Sequence, residues 1–168
     1  MGKASVIKSA LAVAIVYLLT MASCSSTGCV DNQSSLPMAK FYSMQTKAAI
    51  SLSAVEVYGV GAPNGSVLYK SGDALDLVYL PFRNSVDQTS YVFHYTQDGI
   101  DSEEYNDTLT FTYLSKPYFA SEECGAMYQY DISKLEYTRH LIDSVAITDS
   151  LISNTDVERI QIYFRTSS

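Results

Sequence analysis

Apolar and polar positions alternate with period two along most of the chain, the pattern of strands that bury one face. Val55 and Val57 face one way and Glu56 and Tyr58 the other. GlyAlaProAsnGly (61–65) reads as a loop into a partner strand at Val67–Tyr69, because AsnGly favours the positive-φ conformations of tight hairpins. SerGlyAsp (71–73) is a second turn, after which Leu75, Leu77 and Tyr79 share a face until Pro81 ends the run. Tyr91, Phe93 and Tyr95 alternate with Val92, His94 and Thr96. Leu109, Phe111 and Tyr113 alternate with Thr108, Thr110 and Thr112, the clearest such segment. Tyr128, Tyr130 and Ile132 continue the pattern. Leu141, Val145 and Ile147 form a weaker run interrupted by Asp143, and Ile160, Ile162 and Phe164 close the chain. Residues 44–55 and 149–158 have room for a short helix, but neither carries a cap-to-cap pattern.

Eight or nine strands with turn signals between them predict an all-β fold, an antiparallel β-sandwich, with a small β-barrel as the alternative. The chain of 168 residues has the length of one domain, placed at 38–168. Fourteen Tyr, six Phe and no Trp, with many Val, Ile and Thr, agree with strands. Eleven Lys and Arg against eighteen Asp and Glu give a net charge of −7. No basic cluster is present to meet phosphates, which argues against a nucleic-acid partner.

The first 23 residues read as an address. Lys3 and Lys8 precede an apolar run from Ala10 to Leu19, and small residues lead to Cys24. A charged start, a short apolar core and small residues before a cut site describe a secretory signal. The apolar stretch is shorter than the roughly 20 residues needed to span a bilayer. The Cys after MetAlaSer resembles the lipobox of bacterial lipoproteins, which implies cleavage before Cys24, lipid on its thiol and acylation of its new amino group. Residues 24–37 are small and polar and read as a flexible tether. Cleavage removes two lysines and no acid, so nine basic residues face eighteen acidic ones. With Cys24 acylated, Cys29 and Cys124 remain in an oxidising compartment and are expected to form a disulfide. Such a bridge contributes about 2–4 kcal/mol. A reduced pair or a reactive thiol is the alternative.

Several local patterns together resemble an uncharacterised family of small envelope lipoproteins from Bacteroidota. They are the Cys29 tether, TyrGlyValGly (58–61), LeuProPhe (80–82), TyrPheAlaSerGluGluCysGly (118–125) and IleAsp (142–143). The resemblance implies no activity and no catalytic residue. Ser25, Ser26, Thr27 and Gly28 follow the lipidated Cys where surface-exported members of that phylum carry acids. The expected location is therefore the outer membrane, facing the periplasm. The phylum's O-glycosylation pattern, Asp followed by Ser or Thr and an apolar residue, recurs at Thr108, Ser144 and Ser150. Bulky sugars need surface positions.

Candidate chemistry is sparse. The acidic loop from Asp98 to Asp107 has oxygen ligands for Ca²⁺ but not the spacing of an EF-hand, and reads as a solvated hairpin loop. His94 and His140 are the two histidines, and neither sits in a nucleophile motif. Glu122 and Glu123 are adjacent, so in a strand they point to opposite faces and read as a solvated turn. The tyrosines raise sugar stacking, yet their alternation places most of them in packing. No catalytic residue, metal or cofactor is expected. The reading is a non-catalytic protein-interaction or structural module with an envelope protein partner, joined to the membrane through its lipid; the alternative is a glycan- or small-ligand-binding domain.

Overall fold

The computed structural model describes residues 34–122 and 124–166. Ten strands form the domain: β1 (Met38–Ser43), β2 (Val55–Gly59), β3 (Val67–Tyr69), β4 (Leu77–Tyr79), β5 (Gln88–Tyr95), β6 (Asp107–Ser121), β7 (Gly125–Tyr137), β8 (Ile142–Ile147), β9 (Leu151–Ile152) and β10 (Glu158–Phe164). They lie in a four-stranded sheet, β4-β1-β10-β8, and a six-stranded sheet, β3-β2-β5-β6-β7-β9. The fold is all-β, as the alternation predicts. One pair departs from the antiparallel expectation, because β1 runs parallel to β10. That pairing sets Ala39 and Phe41 beside Ile160 and Ile162, all four fully buried.

The inner faces of the two sheets meet through rings. Phe41 of the smaller sheet packs edge-on against Phe93 of the larger at 6.2 Å and against Phe164 at 5.2 Å. Each such pair adds roughly 0.5–1.5 kcal/mol beyond its burial. Phe82, just after β4, stacks on Tyr113 at 4.3 Å and 3° and meets Tyr130 edge-on at 5.5 Å. Val55, Val57, Tyr91, Phe93, Tyr95, Leu109, Phe111 and Tyr113 are all buried, as their alternation requires.

Where the phase of a strand slips, the expected face is wrong. Leu77 and Tyr79 are half-buried, and Val78 and Leu80 fill the core instead. The cause is that Leu75 belongs to a separate bridge with Leu52, so it does not share the register of β4, where Val78 opposes Ala39. Tyr128 is exposed while Met127 and Tyr130 are buried. Tyr128 keeps the face of Tyr130 and Ile132, but it opposes Pro117 where the hairpin runs past the cover of the core, and the bulge that leaves Ser133 unpaired breaks the period of β7 only beyond Ile132. In β8 the buried residue is Ile142, with Leu141 half-buried. Residues 44–55 form turns and single bridges, and 149–158 hold β9 and an irregular segment. No α-helix occurs among the described residues. The last residues of the expected tether pack on the domain: Ser35 is fully buried, and the Pro37 carbonyl accepts from Leu80 N–H at 3.0 Å.

Candidate functional site

Three places gather side chains that do more than fill the core. The first is the start of β6. Asp107 is fully buried. Its Oδ1 accepts from the Thr138 hydroxyl (3.0 Å) and His140 N–H (2.8 Å). Its Oδ2 accepts from the Tyr95 hydroxyl, Leu141 N–H and Ile142 N–H, each at 2.8 Å. A buried carboxylate is tolerated when its lone pairs are filled in this way. Burial, then the Asp107 charge and hydrogen bond, push the Tyr95 phenol well above its ordinary range. The arrangement ties the β7–β8 connection to β5 and β6. The acid expected to end a solvated loop is thus a structural lock.

The rest of that acidic loop folds back on β5. His94 Nδ1 meets Asn106 Oδ1 at 2.8 Å, and Nε2 meets Asp101 Oδ1 at 3.3 Å. Both ring nitrogens are therefore engaged by the loop. Ser102 accepts from Glu104 N–H to start the short 3-10 turn at Glu103–Tyr105. Nearby Tyr58 has its phenol raised by burial, then by Glu103 and Glu56. His140 is exposed, and its carbonyl accepts from Arg165 at 2.6 Å. Glu122 is exposed in the β6–β7 turn, and Glu123 lies outside the described residues. Among the described residues, no three His, Cys, Asp or Glu side chains come together to hold a metal.

The second place is an open groove of about 290 Å³ between the β2–β3 hairpin and the segment after β4. Gly59, Val60, Gly61, Ala62, Leu68 and Pro81 supply most of its wall, with Thr89, Tyr91 and Arg83 at its floor and rim. The hairpin turns through Asn64 (φ 57°) and Gly65 (φ 64°), the positive-φ pair that its sequence predicts. The Tyr91 hydroxyl donates to the Pro81 carbonyl, and the Tyr113 hydroxyl donates to the Arg83 carbonyl and accepts from Arg83 N–H, both at 3.0 Å. The core tyrosines thus fix the 81–83 wall from below. Val60 and Leu68 are 54% and 44% exposed at the groove's edge. β3 is the outermost strand of its sheet.

The third place is the far end of the β6–β7 hairpin. There Phe119 is 68% exposed, although Phe111 on the same strand is fully buried. The Tyr118 hydroxyl donates to Asn154 Oδ1 (2.9 Å) and accepts from Asn154 N–H (3.1 Å). Cys124 is half-buried in the connecting turn, and its N–H donates to Ser121 Oγ at 3.0 Å.

The residues singled out in sequence distribute among these places. Tyr58–Gly61 and Leu80–Phe82 frame the groove, 118–125 is the hairpin end, and Ile142–Asp143 adjoins Asp107. Cys24, Cys29 and the signal segment lie outside the described residues. Thr108 is half-buried in β6, with its N–H donating to Thr138 Oγ1 at 2.8 Å. Ser144 is half-buried in β8. Ser150 is exposed, and its hydroxyl donates to Asp131 at 3.0 Å. Ser150 is the one of the three glycosylation candidates with open access. The lock was missed in sequence, although a signal existed: Asp107 has the same parity as Leu109, Phe111 and Tyr113, and so points inward.

An all-β domain with a buried carboxylate lock and an apolar groove is the class these observations define. The chain belongs to a family of unknown function, DUF6452, which matches residues 54–164. No curated protein and no solved structure matches it.

Proposed function

We propose that this is a lipid-anchored protein of the bacterial cell envelope, held in the outer membrane on its periplasmic side, whose domain is a non-catalytic interaction module. The observation that carries the interaction reading is the groove beside β3. Its walls are apolar, its rim residues Val60 and Leu68 are exposed, and it opens next to an edge strand. That combination suits an extended segment of an envelope partner. The segment adds to β3 through backbone hydrogen bonds and places an apolar side chain in the groove. A glycan is the weaker fit. Tyr91 is 2% exposed and offers no stacking face there. The ring pair outside the core, Tyr42 and Tyr163, has Lys47 lying over Tyr163 at 4.8 Å.

The anchor rests on the sequence before Cys24, and the Cys29–Cys124 bridge on two supports. The Cys124 sulfur is disulfide-bonded. With Cys24 acylated, Cys29 is the cysteine left to pair with it.

The test is site-specific photocrosslinking in intact native cells, with the reactive group at Leu68 and a control at exposed Lys134 of β7. One reproducible envelope partner captured from Leu68 and not from Lys134 supports the reading. The same abundant neighbours from both positions overturn it and move glycan and ligand screening forward.

A further inference from the structure

Directly opposed residues of an antiparallel pair share a face, and faces alternate along each strand. At the end of the β6–β7 hairpin, Pro117 opposes Tyr128 and Phe119 opposes Ala126. These four side chains share one face, and all four are exposed. The other face carries Tyr118 opposite Met127, and Tyr118 is bonded to Asn154. One face of the hairpin end is thus docked on the domain, and the other presents a small apolar surface to its surroundings.

We infer that this surface lies against the bilayer that holds the anchor, with Phe119 in the interfacial layer of zwitterionic lipid. The inference rests on the anchor and the Cys29–Cys124 bridge proposed above. Cys24 and Cys29 are five residues apart, a reach of at most about 18 Å at ~3.6 Å per residue. Cys124 lies in the turn at the hairpin end, so the bridge keeps that end within this reach of the lipid.

The chain enters the domain on the same side. Met38 opposes Tyr79, and the Tyr79 hydroxyl donates to Asp156 at 2.7 Å. Two residues before Asp156, Asn154 holds Tyr118. Aromatic side chains settle at the level of lipid head groups. The exposed Glu122 in the turn and the excess of eighteen acidic over nine basic residues after cleavage disfavour anionic lipid, so the surface fits a zwitterionic layer.

The chain contains no Trp, so a single indole reports its own surroundings. The experiment uses the full-length lipidated protein on vesicles of phosphatidylcholine and phosphatidylethanolamine with brominated acyl chains. A Phe119→Trp variant is compared with Tyr105→Trp at the opposite end of β6. Vesicle flotation is measured on the same samples. The expected result is flotation of both, with emission of the Phe119→Trp variant shifted to the blue and quenched roughly twofold, and that of Tyr105→Trp unchanged. Flotation with equal or no quenching at both positions overturns the bilayer contact and leaves the anchor standing. Failure to float overturns the anchor and the inference with it. An indole in the Phe119→Trp variant that stays wet on vesicles but is buried by added envelope extract assigns the face to a protein, against the inference.

Discussion

The two ends of the β6–β7 hairpin obey opposite rules. At the base a charged group is inside: Asp107 is fully buried and accepts five hydrogen bonds. At the far end an aromatic group is outside: Phe119 is 68% exposed. Both residues have the parity of the core-facing positions of β6. The difference is what lies above them. The base is covered by the smaller sheet and the β7–β8 connection, whereas β6 runs on past that cover. A carboxylate can stay buried when fixed donors replace water, and an exposed ring on a paired, rigid hairpin is a surface available for contact. The base holds the fold, and the far end and the groove are the exposed apolar surfaces on which the proposed contacts rest.

Two phenylalanines on one strand make the sharpest form of this contrast. Phe111→Ala empties a fully buried ring position that packs on Phe82 at 5.2 Å, and is expected to cost about 3–5 kcal/mol in urea unfolding. A cost near zero would mean that the core is not closed over β6. Asp107→Asn comes next. It puts an amide group against donors that need an acceptor, and about 2–4 kcal/mol is expected from unfulfilled hydrogen bonds and the lost charge. If instead that variant matches the parent in the same measurement, the lock has no energetic role.

A smaller effect comes with alkali. The hydrogen bond from its hydroxyl to Glu158, then burial, push the Tyr42 phenol up to about 12. The folded state therefore keeps a proton that the unfolded chain loses near pH 10. The stability contributed is fully present below pH 10 and is lost as pH rises toward 12. Burial raises Tyr91 and Tyr95 as well. Absorbance titration of the tyrosines should show these phenols ionising only as the protein unfolds; early, reversible ionisation of all tyrosines would contradict their burial. The smallest effect belongs to Phe119→Ala, expected within ~0.5 kcal/mol of the parent because the ring is exposed. A loss comparable to that of Phe111→Ala would show the hairpin end to be part of the core.

The central strands were legible because each buries one face. Val55 and Val57, Tyr91 to Tyr95, Leu109 to Tyr113 and Ile160 to Phe164 carry that pattern unbroken. β1 was not legible as a strand, since its short MetAlaLysPheTyrSer stretch is set by pairing with β10, more than a hundred residues away. Tyr128 shares the face of Tyr130 and Ile132 as the alternation predicts, but alternation says nothing of where the hairpin outruns its cover, so its exposure was invisible. Asp107 sat at the end of an acidic run and read as loop, because its donors come mostly from residues 138–142, far along the chain. The groove joins 59–63 to 81–83, and no local pattern announces such a meeting.

The proposed arrangement has a lipid and a disulfide holding the domain by its hairpin end. It is tested most directly by the intact mass of the protein extracted from its native envelope, alkylated without reductant. The predicted mass is that of a chain beginning at Cys24, carrying a diacylglycerol and an acyl group, with no alkylated thiol. A chain without lipid, or one with alkylated Cys29 and Cys124, would contradict it.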